Sequence, residues 1–258
     1  MLNETSMKII QIKGGQLSKP VRLIVFTKDT GCKTCPDVVE LAQAIKARMG
    51  KIALEVYDLV MDRDKTEQYG ITVAPALVVQ GGEGRTITFY GLIENMLLEM
   101  LLSAIQAVSG QNVWIPQEIR RSLSRLAHDV KIRVFVKSDS EQCRFVAETA
   151  IGLALASDHI DTHIFIAEDF PELTRKYSIT TLPKTIFGEN LQVDGNMLEI
   201  EFLEMIFQAE GIKPGPDRQC LVCGKASSDI ICSNCKTRIQ AEALDHKLKA
   251  EKQKQPES

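Results

Sequence analysis

Apolar positions along the chain follow two periods. Residues 21–27 (VRLIVFT) form a short, β-branched apolar run, which predicts a buried strand. Beyond it Val38, Val39, Leu41, Ala42 and Ile45 recur at helical spacing to about Gly50, and Pro36 suits the first turn of that helix. A second strand is predicted over 52–60, then a polar helical segment, then a strand over 73–79 broken at its start by Pro75. Gly81-Gly82-Glu83-Gly84 reads as a hairpin turn into a strand over 86–90, and 93–108 as an amphipathic helix. The order is strand, helix, strand, helix, hairpin, helix.

That order repeats. Tyr69-Gly70-Ile71-Thr72-Val73-Ala74-Pro75 and Tyr177-Ser178-Ile179-Thr180-Thr181-Leu182-Pro183 share Tyr, Ile, Thr and Pro in one register. The two prolines stand 108 residues apart, as do Cys35 and Cys143. Residues 130–136 (VKIRVFV) resemble 21–27, 145–156 form a helix candidate and 163–167 another strand. Several matches in one register argue for a duplication, with units at 1–110 and 116–211. Trp114 lies in the connection and is expected to pack there. Lys213-Pro214-Gly215-Pro216 reads as a stiff linker to a cysteine module at 218–239, followed by a charged tail at 240–258 expected to be a short helix fraying into disorder.

A chain of 258 residues, 44% hydrophobic, suffices for two ordinary cores with something small added. A net charge of -3 leaves no cationic excess for a phosphate backbone, which disfavours nucleic acid as a partner. No stretch approaches the roughly 18 to 20 apolar residues of a membrane span, and the first twenty residues lack an apolar signal core. The expected location is therefore the cytoplasm, with no membrane partner. Thiols are kept reduced there, so the seven cysteines read as catalytic or metal-binding. Six fall in CxxC pairs and Cys143 stands alone. His128, His159, His163 and His246 show no metal-ligand spacing and read as solvated or packed, while Lys247, Lys249, Lys252 and Lys254 alternate with acids as a solvated face.

Cys32 and Cys35 sit where a strand hands over to a helix. Disulfide exchange needs a thiolate that attacks and a second thiol that displaces the mixed disulfide, and CxxC at a helix start supplies both. Cys32, at or near the N-cap, gains from unpaired amides and the helix dipole and is the expected nucleophile; Cys35, further inside, is the resolving thiol. Lys33 adds positive charge, which Asp37 partly offsets. The bland alternative for this pair is half of a metal site. Pro75, at the start of a strand facing the dithiol, is expected to be cis and to expose the backbone of Ala74 to an extended substrate chain, the alternative being a β-edge proline remote from the cysteines. Lys33 and Thr34, between the thiols, are the other expected substrate contacts.

With these residues in hand, the first unit, the duplication and the Tyr-x-Ile-x-x-x-Pro stretches resemble the tandem-thioredoxin protein disulfide oxidoreductases, or glutaredoxin-like proteins. Cys32-Lys33-Thr34-Cys35-Pro36-Asp37-Val38-Val39 is also similar to the N-terminal redox domain of the alkyl hydroperoxide reductase flavoprotein. The resemblance covers about residues 20 to 210. It implies an α/β chain of two tandem thioredoxin-like folds in which Cys32 and Cys35 pass electrons between a reductase and oxidised protein substrates, with Pro75 as the cis-proline and no organic cofactor. Two positions depart from that family. Ser140 stands where a second nucleophile would be, and Phe26 stands where some thioredoxins carry a buried acid. Serine is a strong N-cap, so the second fold should survive while its chemistry does not, leaving Ser140, Cys143 and Pro183 as a degenerate site and a binding platform. Cys143 reads as a small buried apolar residue; the alternative is a disulfide with a partner or with Cys32 or Cys35.

Cys220, Cys223, Cys232 and Cys235 form two knuckles separated by eight residues. Four thiolates suit one structural zinc, and Gly224 permits the left-handed turn that points amides at sulfur. The segment is too short to fold on apolar burial, so metal must supply its folding free energy. Redox-active dithiols or an iron–sulfur cluster are the alternatives. This zinc-ribbon-like module is outside the usual oxidoreductase pattern; it offers a docking place for a partner, or a redox sensor that loses its metal on oxidation. The whole reads as a protein disulfide oxidoreductase with one working dithiol. Its rivals are a non-catalytic adaptor and a redox switch whose binding depends on the state of Cys32 and Cys35.

Overall fold

The computed structural model describes residues 4–82, 84–110, 113, 115–216 and 218–254. Glu83, Trp114 and the side chains of Lys247, Lys252 and Lys254 lie outside the described residues. The first unit runs α1 (Glu4–Lys13), β1 (Val21–Thr27), α2 (Cys35–Arg48), β2 (Ile52–Asp58), α3 (Arg63–Tyr69), β3 (Ala76–Gly81), β4 (Thr86–Tyr90) and α4 (Asn95–Val108). The second runs α5 (Gln117–Leu123), β5 (Val130–Val136), α6 (Glu141–Ala156), β6 (Ile160–Ile166), a 3-10 turn Ala167–Asp169, α7 (Pro171–Lys176), β7 (Lys184–Phe187), β8 (Leu191–Asp194) and α8 (Glu199–Ala209). A last helix, α9, spans Ser233–Lys254.

Each unit pairs its first strand in parallel with the second and antiparallel with the third, and closes with a hairpin. The short apolar runs make this possible, because β1 is buried on both faces except at Arg22 and at half-buried Thr27. The two units do more than pack side by side. Strand β4 pairs in parallel with β6, so one eight-stranded sheet runs β2-β1-β3-β4-β6-β5-β7-β8 through the molecule. Two edges that would otherwise present open ladders close on each other.

The sheet carries a core on each face. On one, Leu23, Val25, Leu41 and Ile45 of the first unit join Ile132, Val146, Leu203 and Phe207 of the second beneath α2, α4, α6 and α8. On the other, an aromatic layer crosses the junction: Phe26, Tyr90, Phe165, Phe135 and Phe170. Tyr90 stacks on Phe165 with centroids 4.2 Å apart, and Phe165 on Phe135 at 4.9 Å.

Beyond Lys213–Pro216 the cysteine module is not an independent bead. Cys220, Ile230, Ile231, Cys235 and Ile239 are buried in the same core as the second unit. Arg238 pairs with Glu118 of α5, Lys236 with Glu204 of α8 at 2.8 Å, and Arg125 donates to the carbonyl of Leu221. The charged tail also differs from expectation: instead of a short helix begun after residue 240, α9 starts within the second knuckle and continues to Lys254. Its burial of Ile239 in the core shared with the second unit supports the longer helix. Among the described residues no helix is long and apolar enough to cross a membrane.

Candidate functional site

Strand β1 ends at Thr27, and the chain reaches α2 through Lys28–Thr34. Thr34 is the N-cap of α2, with Cys35 and Pro36 opening its first turn, where proline's missing N–H costs nothing. Cys32 therefore stands two residues ahead of the cap. Cys35 is 4% exposed, whereas Cys32 is only partly buried, flanked by exposed Gly31 and Lys33. The two are joined as a disulfide with Cα atoms 5.5 Å apart. A part-exposed cysteine ahead of a buried one is the asymmetry that exchange uses.

Pro75 reaches the same end of the sheet by topology. Strand β3 runs antiparallel to β1, and its first residue, Ala76, pairs with Phe26 near the end of β1. The Ala74–Pro75 bond is cis, Pro75 is buried and Ala74 half-buried, just outside the ladder that begins at Ala76. The Pro75 carbonyl accepts from Gly91 N–H at 3.1 Å. Phe26 is fully buried against Tyr57 and Tyr69, with ring centroids 5.8 and 5.9 Å away, so an apolar ring fills the place where an acid was looked for.

The second unit repeats the frame without the dithiol. Ser140 caps α6, its Oγ accepting from Cys143 N–H at 3.3 Å, and Cys143 is a free thiol with no exposure. Leu182–Pro183 is also cis, and Gly195 N–H donates to the Pro183 carbonyl at 2.8 Å. Where the first unit has Ala76 opposite Phe26, the second has Lys184 opposite Phe135. That lysine is nearly buried and pairs with Asp194 Oδ1 at 3.2 Å, which also accepts from Thr181. In the sequence Lys184 is marked only by its place directly after the repeated proline.

The four remaining cysteines meet. Their sulfurs all lie within 4.8 Å of one another, with Cys223 and Cys232 at 3.8 Å, and this group could hold a metal ion. Four thiolates about 2.3 Å from one zinc stand roughly 3.8 Å apart, so the donor set and the spacing fit. Gly224 takes φ +73° and donates to the Cys220 carbonyl at 2.9 Å, the left-handed knuckle turn that the sequence pointed to. Burial would raise the Cys220 thiol, but N–H groups of Cys232, Cys223 and Val222 aimed at its sulfur hold it down at about 6. Burial and the neighbouring sulfurs push Cys235 the other way.

Sequence reading also missed the polar chain at the junction. Tyr90 Oη stands 3.0 Å from His163 Nδ1, and His163 Nε2 stands 2.8 Å from Asp161 Oδ2. Burial pushes the Tyr90 phenol up, while for Asp161 the burial effect is outweighed by His163 and Lys131, which hold its carboxyl down. His163 is thus packed, and satisfied on both nitrogens.

Comparison with known proteins agrees with this geometry. The thioredoxin-domain family matches residues 22–91. Probable thioredoxins from Methanothermobacter thermautotrophicus and Methanothermobacter marburgensis are each 37% identical over 62 residues, 24% of this chain and 72% of the relative. Among solved structures, a protein disulfide oxidoreductase from Aeropyrum pernix is 22% identical with a TM-score of 0.72, covering 82% of this chain and 95% of that one. The NTD_N/C domain of the alkylhydroperoxide reductase AhpF from Enterococcus faecalis is 20% identical with a TM-score of 0.71, covering 80% of this chain and 100% of that one. At those identities the likeness is one of fold, and its reach takes in both units.

Proposed function

The chain belongs to the thioredoxin family, and from that premise we propose that it is a thiol–disulfide oxidoreductase exchanging electrons with protein disulfides through the single dithiol Cys32 and Cys35. The observation that carries the reading is the pairing of a part-exposed Cys32 with a buried Cys35 at the start of α2. The Cys32 thiolate attacks a substrate disulfide, forming a mixed disulfide and releasing one substrate thiolate. Cys35, as thiolate, then attacks the Cys32 sulfur, closing the Cys32–Cys35 bond and releasing the second substrate thiolate. Two electrons pass to the substrate, whose thiolates take up protons, and a reductase returns the dithiol. The unpaired amides at the start of α2 favour the Cys32 thiolate, and Lys33 adds to the effect. Ala74, ahead of Pro75, offers backbone to an extended substrate segment, while Lys33 and Thr34 flank the reacting sulfur.

The second unit serves as a platform without chemistry of its own: Ser140 Oγ occupies the amide that a thiolate would use, and Cys143 is sealed in the core. We assign one structural zinc to Cys220, Cys223, Cys232 and Cys235. When bound, it would cross-link the two knuckles and fix α9 to the second unit; four thiolates leave no open coordination position. The exposed Cys223 knuckle remains a candidate docking point for a partner. Five free thiols among the described residues suit a reducing, cytoplasmic setting.

Trapping tests the proposal. Cys35→Ser leaves Cys32 unable to be displaced, so mixed disulfides with protein substrates should accumulate and be released by added dithiothreitol. No adducts, together with a wild type that fails to reduce insulin, would leave the adaptor reading in its place.

A further inference from the structure

Where β4 ends, three consecutive residues are fixed by the second unit. Tyr90 stacks flat on Phe165 at 4.2 Å and bonds His163 at 3.0 Å. Gly91 lies so close to the 3-10 turn that a Cβ there would come within 2.6 Å of Asp169 Oδ2 and 2.8 Å of Ile166 Cβ. Its φ of +95° favours glycine as well. Leu92 N–H donates to Asp169 Oδ2 at 2.8 Å. The middle residue of the three is the one whose N–H binds the Pro75 carbonyl at 3.1 Å.

The duplication supplies an internal control. In the second unit Gly195 N–H makes the same bond to Pro183, at 2.8 Å and with φ +84°, yet nothing stands within 4 Å of where its Cβ would be. The glycine-to-proline hydrogen bond therefore belongs to the repeat. The clamp belongs only to the junction, and the junction falls on the unit that keeps its dithiol.

Granting the oxidoreductase reading, we infer that Asp169 is a positioning residue for the dithiol site, acting through Leu92, Gly91 and Pro75 to hold the backbone at Ala74 on which a protein substrate docks. A carboxylate accepting a backbone N–H makes a charge-assisted bond, stiffer than a neutral one. A substrate segment that lies along a backbone edge gains affinity when that edge is already ordered. A small disulfide that meets only Cys32 gains nothing from it.

The test compares wild type, Asp169→Ala and Asp169→Asn for reduction of insulin and of the small aromatic disulfide of dithiobis-nitrobenzoate, with amide exchange followed by mass spectrometry on the full chain. Asp169→Ala should raise KM for insulin about tenfold with kcat little changed, leave the small disulfide untouched, and speed exchange at Gly91 and Leu92 about tenfold. Asp169→Asn, whose amide oxygen still accepts from Leu92, should recover most of the loss. A wild-type KM in Asp169→Ala, equal losses on both substrates, or unchanged exchange at 91–92 each overturns the positioning role. If wild type reduces neither disulfide, the oxidoreductase reading falls and the positioning role with it, whereas unchanged exchange with an active wild type removes the clamp alone.

Discussion

Ser140 stands in the repeat where the first unit carries Cys32. Its hydroxyl caps α6 and satisfies the N–H of Cys143, so Ser140→Ala should cost about 1 kcal/mol of stability in denaturant unfolding, with no change in disulfide reduction. Ser140→Cys should instead restore a CxxC pair able to close a second disulfide, detected as the loss of two more thiols on mild oxidation than in wild type. The meeting of Cys32 with Cys35, and of the four module cysteines with one another, was legible because it is written in their spacing. Pro75 was legible because it recurs with its Tyr-x-Ile context. Asp169 was not, because its partner Leu92 is 77 residues away and the contact exists only once β4 lies beside β6. Lys184 was overlooked for a different reason: a lysine is ordinarily read as surface, and here its chain is buried while its amine reaches the exposed carboxylate of Asp194.

Among elements, the strands were the most readable. Strand β1 and strand β5 fall where the apolar runs VRLIVFT and VKIRVFV put them. Helix α1 escaped notice because it fully buries only Ser6 and Ile10 and carries no strong apolar stripe; its stability comes from packing on α2 and α4, which a local window does not see. Helix α9 was read too short for the same reason. The cysteine module offers the prediction at this scale. Cys235 is buried in the core shared with the second unit, so Cys235→Ser should lose about one equivalent of zinc and lower the melting temperature of the whole chain, measured by metal analysis and calorimetry. Protons compete with metal for thiolates. Zinc retention should therefore weaken as the pH falls, which a chelator titration across pH 5 to 8 would register.

At the scale of the whole molecule, duplication was visible in the 108-residue register, but the eight-stranded sheet was not. Repeats give no account of which edges meet, and parallel pairing of β4 with β6 depends on two exposed ladders finding each other. That junction gives the two units unequal parts. The first holds a dithiol at the end of its sheet, and the second, with Ser140 in place of a first cysteine, braces the strand that supports Pro75. The cysteine module then ties α9 to the second unit.

The claim on which all of this depends is that one dithiol carries the exchange. Turnover of insulin reduction by wild type, Cys32→Ser and Cys143→Ser measures it directly. Wild type and Cys143→Ser should turn over alike, while Cys32→Ser falls to the uncatalysed rate, because Cys143 has no exposure and Cys32 does. A Cys143→Ser protein as inactive as Cys32→Ser, or a Cys32→Ser protein that still reduces insulin, would contradict it.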